Sequence, residues 1–100
     1  MKNSIKVSPV WTKDLVARRA AEFLRFEQAM REAQSDYRNS CARFIRKNRI
    51  EARLDTSDER FRRATRKQYL AFHAAKQSVY NAKRRLQTAV RNCAELARAI

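Results

Sequence analysis

Between Arg60 and Ala94 the chain places ten Lys or Arg residues and no Asp or Glu over 35 positions. Arg63, Arg66, Leu70, His73, Gln77, Tyr80, Arg84 and Arg91 recur at helical spacing as one stripe, with Lys67, Lys76 and Lys83 flanking it. A solvated helix ordinarily mixes signs, because opposite charges one turn apart support it and like charges oppose it. A helix that leaves out every acid is suited to an anionic partner. Arg and Lys would bind phosphate oxygens, and the flat rings of His73 and Tyr80 would stack on exposed bases. The candidate contact residues for nucleic acid or another anionic partner are therefore Arg63, Arg66, Lys67, His73, Lys76, Tyr80, Lys83, Arg84 and Arg91. The plain alternative is that the charges are merely solvated and that Leu70, Tyr80 and His73 are covered by another protein surface. Taken alone, His73 reads as a packing or hydrogen-bonding residue.

A second basic cluster comprises Arg43, Arg46, Lys47, Arg49 and Arg53, then Arg60, Arg62 and Arg63. Cations at the C-terminal end of a helix complement its dipole, which accounts for Arg46, Lys47 and Arg49. It does not account for the whole cluster, so this region is a second candidate contact surface.

These residues need a scaffold, and the composition points to one. The chain has 100 residues, no glycine and one proline, Pro9. Without glycine, hairpin turns and bulges that need positive φ are hard to build. Ala, Arg, Leu, Gln, Lys and Glu, all strong helix formers, dominate. The expectation is all-α, a single domain.

Residues 1–8 alternate apolar and polar through Ile5 and Val7 and read as an extended N-terminal arm, one able to add to a partner as a strand or fill a groove. The helical domain then covers 9–100, with a helix over about 9–48, a loop over about 49–56 and a helix over about 57–100. Ser8-Pro9 offers a first helix start, and Trp11-Thr12 with Val16 a second. Val16, Phe23, Met30, Tyr37 and Phe44 form a seven-residue apolar column, with Phe26 and Ala33 beside it. The polar run Ser35–Ser40 is its weak point, where a break near Asn39 would give three helices. Thr56-Ser57-Asp58-Glu59 fits a capping box with Thr56 as the cap. Thr65, Phe72, Val79, Leu86, Cys93 and Ile100 form the second column, with Ala75, Ala82, Ala89 and Leu96 alongside.

The columns match when the chain folds back so that facing residue numbers add to 105. Phe23 then opposes Ala82, Val16 opposes Ala89, Ala33 opposes Phe72 and Ser40 opposes Thr65, large against small. The expected architecture is a coiled-coil-like antiparallel hairpin of two long helices, each arm roughly 60 Å long. Cys41 and Cys93 would lie on the order of 40 Å apart, beyond disulfide reach. A two-helix core is thin, and Leu15, Leu24, Ile45 and Leu70 fall off the seam. A second copy packing as a four-helix bundle, a partner protein, or Trp11 with the N-terminal arm would each cover some of them.

Catalysis has little to stand on. The chain has one histidine, no glycine loop and no HExxH. Glu22, Glu27, Glu32 and Asp36 are spaced for ion pairs with neighbouring arginines, and no histidine joins them to make a metal site. The expectation is no enzyme, no metal and no cofactor. "MKNSIKVSPVW" lacks the apolar segment of a secretory leader, and no 18-residue apolar run is present. The basic helices pair an Ala-rich face with each other and lack the broad apolar face that lipid requires, so no membrane partner is expected. The chain reads as cytoplasmic, with reduced thiols.

The net charge is +14, and 17 of the 24 cations are Arg, whose planar fork suits phosphate and carboxylate. A genome rich in arginine codons is the bland explanation for that bias. The first reading is a small basic binding protein for nucleic acid, DNA or RNA, without sequence-specific base reading. The second, of a different class, is a modulator or inhibitor of the kind mobile elements encode, docking on an acidic surface or channel of a larger, nucleic-acid-processing enzyme. An unselective packaging protein is a third. An open apolar patch formed by Leu24, Ile45, Leu70 and Tyr80 would favour the second.

Overall fold

The computed structural model describes residues 11–51 and 53–99. Two helices, α1 (Lys13–Lys47) and α2 (Glu59–Ala99), fold back on each other as an antiparallel hairpin. The hairpin measures 65 × 31 × 18 Å with a radius of gyration of 21.1 Å, against about 13 Å for a compact chain of this length. The N-terminal arm, with the Ser8-Pro9 helix start, and Ile100 lie outside the described residues.

The first helix uses the later of its two candidate starts. Thr12 is extended (φ −102°, ψ 166°), and its hydroxyl accepts the Leu15 N–H at 3.2 Å. That satisfies one of the amide donors a helix start leaves free. The helix therefore begins at Lys13, not near residue 9. It also runs unbroken through Ser35–Ser40, so the break near Asn39 is absent and the described residues form two helices. Ser40 points inward and is 5% exposed, its hydroxyl donating to the Tyr37 carbonyl at 2.8 Å. A residue that looks like a breaker in sequence is thus a small packing residue with its polar group satisfied within the helix.

The end of α1 is a Schellman motif. The Ile50 N–H donates to the Ile45 carbonyl and the Arg49 N–H to the Arg46 carbonyl. Arg49 takes the left-handed position, φ 53°, where a chain containing glycine would ordinarily use one.

The second helix starts differently from the capping box expected at Thr56. Asp55 accepts the Ser57 N–H at 3.0 Å and its hydroxyl at 2.6 Å, which closes a turn just upstream. Asp58 then caps α2, accepting the Arg60 N–H at 2.8 Å, so the helix begins at Glu59 rather than 57. Asp is among the best caps and outcompetes Thr once the turn presents it.

The packing register is the one expected. Phe44 and Phe61, whose numbers add to 105, meet edge to face with centroids 5.4 Å apart. Ser40 and Thr65 are both buried, and Ala82 and Ala89 are fully so. Tyr37 lies 5.6 Å from Tyr69 and 6.2 Å from Phe72. Across the other flank Glu22 accepts from Arg85 Nε at 3.1 Å, joining residues 63 apart in sequence. The rest of the described seam is half-buried, as a two-helix core must be, except Leu96, which was expected alongside the seam and is exposed because it lies near the open end of the hairpin. Cys41 and Cys93 are both free thiols.

Candidate functional site

All nine residues of the predicted α2 stripe are exposed: Arg63, Arg66, Lys67, His73, Lys76, Tyr80, Lys83, Arg84 and Arg91. From Arg63 to Arg91 they run along roughly 40 Å of helix. The core column on the opposite side of α2 fixes which way this face points. The carboxylates are divided unequally, with Asp14, Glu22, Glu27, Glu32 and Asp36 on α1 but only Glu59 and Glu95 on α2.

The ion pairs deepen that division. Glu27 pairs with Arg31 at 3.9 Å and Glu22 with Arg19 at 3.6 Å, both within α1. On α2, Glu59 reaches Arg63 at 3.8 Å, Asp58 reaches Arg60 at 3.1 Å and Glu22 reaches Arg85. Among the described residues no carboxylate pairs with Arg66, Lys67, Lys76, Lys83, Arg84 or Arg91. Two of these cations lean on rings of their own helix instead. Lys76 Nζ sits 4.8 Å from the Phe72 ring centre, and the Arg84 guanidinium 5.8 Å from that of Tyr80.

The structure does not hold all nine together. Lys67 turns to a separate depression that it shares with Asp36, Asn39 and Arg43. His73 sets its ring edge-on against Tyr69, centroids 4.4 Å apart, so it is tied to a neighbour rather than standing free. Tyr80 remains 55% exposed.

Sequence reasoning missed Tyr69. It lies between His73 and Tyr37 and is 44% exposed. The signal was available as the four-residue spacing of Tyr69 and His73, which puts both rings on one face. Tyr37, beneath it, is held above the usual phenol value of 10.0, by burial first and then by its hydrogen bond with Cys41.

The predicted tip cluster divides into two. Arg43 and Lys47 flank a depression with Ser40, Phe44 and Ala64. Arg62 lines another with Thr56, Ser57, Arg66, Tyr69 and Leu70, and the two share no residue. Arg60 is occupied by Asp58, which receives its backbone N–H and its guanidinium. Arg46, Arg49 and Arg53 are exposed. The hydrogen bonds from Ser57 and Arg60 hold the Asp55 and Asp58 carboxyls below the usual 3.8.

Exposed apolar side chains are present on both helices. Leu24 is 61% exposed, Leu70 49% and Tyr80 55%, while Ile45 is half-buried. Leu70 and Tyr80 are ten residues apart on α2, about 15 Å, with Lys76 between them.

Among the described residues no group of three His, Cys, Asp or Glu side chains gathers as a metal site, and no helix is long and apolar enough to cross a membrane. No protein-family model, curated protein or solved structure matches this chain.

Proposed function

We propose that this chain is a cytoplasmic, non-enzymatic nucleic-acid-binding protein that lies along a phosphate backbone by the exposed face of α2. The supporting observation is the row Arg66, Lys76, Lys83, Arg84 and Arg91, exposed and without a carboxylate partner among the described residues. Unneutralised cations in a row raise the energy of the folded chain by mutual repulsion, and a polyanion with regularly spaced charges relieves it. Arg62, one turn before Arg66, extends the row toward the loop.

The reading is tested by fluorescence anisotropy with labelled DNA and RNA over a salt series. Six or more phosphate contacts predict an affinity that falls about 10³-fold or more between 50 and 200 mM salt. Weak binding that is indifferent to salt would remove the proposal.

The exposure of Leu24, together with Val90 and Leu96 at 47% each, favours a second reading, a modulator docking on an acidic protein surface. It predicts a shallow salt dependence and a complex that survives moderate salt.

A further inference from the structure

One groove on the hairpin combines aromatic, hydroxyl and cationic groups. It has a volume of about 410 Å³ and lies beside the first turns of α2, under Thr56 and Ser57 of the loop. That size is in the range of small-ligand sites. Tyr69 and Leu70 are among its apolar lining, and Arg62 and Arg66 line it as well. No carboxylate lines it. A neighbouring depression of about 380 Å³ shares Ser57, Arg62 and Arg66 and adds Glu59 and Arg63, which pair with each other at 3.8 Å, so Arg62 and Arg66 sit between two hollows.

Two details point to what fits there. Arg62 and Arg66 are one turn apart and repel each other, and neither has a carboxylate partner among the described residues. An anion between them would offset that repulsion. Next to them the Tyr69 ring is braced on two sides, by His73 at 4.4 Å and 68° and by Tyr37 at 5.6 Å and 59°. A ring already held in place loses little freedom when something stacks on it. An anion next to a flat apolar surface describes a nucleotide. Bases in a duplex are stacked on each other, so only an unpaired base presents a free face. Arg66 belongs both to this groove and to the α2 row, so a strand running along the row passes the groove.

We infer that the groove takes one unpaired nucleotide, its base against Tyr69 and Leu70 and its phosphate between Arg62 and Arg66. The inference rests on the nucleic-acid reading above and names its substrate class: a single strand, or a duplex carrying an unpaired loop or end.

The test uses the full chain with an oligothymidylate of about 16 nucleotides carrying one 2-aminopurine, and a blunt duplex with the same number of phosphates. The single strand is expected to bind about tenfold more tightly at equal salt, with quenching of the 2-aminopurine. Tyr69→Ala is expected to remove both the preference and the quenching. Leu70→Glu, at an exposed position, puts a carboxylate into the groove and should do the same if Tyr69→Ala fails to fold. Equal affinity for both forms without quenching overturns the inference, as does a preference that survives both substitutions. If duplex binding is then still lost on reversing Arg84 and Arg91, the broader reading stands. Failure of both nucleic acids to bind at low salt overturns both readings and leaves an acidic protein partner.

Discussion

Phe44 near the end of α1 and Phe61 near the start of α2 meet edge to face, ring centres 5.4 Å apart and planes at 74°. They are 7% and 3% exposed, the only large apolar side chains buried to that degree among the described residues. In a two-helix molecule this contact closes the hairpin and sets the register for everything farther along. The exposed α2 face is positioned by it, although neither ring is near Arg84 or Arg91.

Phe61→Ala is accordingly expected to destabilise the chain by about 3–5 kcal/mol, the cost of removing a buried phenyl ring and leaving a cavity. Thermal unfolding followed by circular dichroism should show a drop in Tm of at least about 10 °C. A change of only a degree or two would mean the tip is not the anchor of the hairpin.

Arg49→Gly is expected to be stabilising. Arg49 holds φ at 53°, a conformation that costs a residue with a Cβ roughly 1–2 kcal/mol and glycine almost none. Glycine also gains freedom in the unfolded chain, so the net gain is about 1 kcal/mol. Urea unfolding should show a higher midpoint at unchanged slope; a lower midpoint would mean the Arg49 side chain makes a contact worth more than the strain.

Replacing Arg63, Arg66 and Arg84 by Glu together is expected to abolish nucleic-acid binding while leaving the helix content intact, since all three are exposed. Each lost phosphate contact should also flatten the salt dependence by about one unit of slope. Equal losses from reversing Arg18 and Arg25 on α1 would show that total charge, not the α2 face, governs binding.

The turn before α2 predicts an acid sensitivity. Asp55 and Asp58 have their carboxyls lowered below 3.8 by hydrogen bonds from Ser57 and Arg60. A carboxyl whose value is lowered on folding contributes stability above its unfolded value and loses it as pH falls through the folded one. Stability should therefore decline below pH about 3.8, seen as a falling urea midpoint. Asp58→Asn keeps a good cap without a titrating group and should shallow that decline; an unaltered acid profile would assign it elsewhere.

Much of this was legible in the sequence because helices are local objects. The absence of glycine, the two seven-residue columns and their large–small matching led to an antiparallel hairpin in the correct register. The acid-free stripe also needed only helical periodicity, and its members are exposed as expected. Boundaries were less legible. Thr12 and Ser8, or Thr56 and Asp58, are alternative caps for starts a few residues apart, and a linear reading cannot weigh the turn that Asp55 and Ser57 form together. The polar run ending at Ser40 looked like a break because its burial opposite Thr65 is a property of the pair.

What the amino-acid order determined by itself was the helical class, the seam and the unequal division of charge between the two helices. The tertiary structure decided which cations share a surface. Lys67 and Arg43 go to one flank and Arg62 joins Tyr69 and Leu70 on another, because the register and the loop decide what each outward position of α2 has beside it. The role of Tyr69 likewise emerges only once Tyr37 of the other helix is brought against it. Periodicity assigns a residue to a face, and its neighbours across the seam assign it a site.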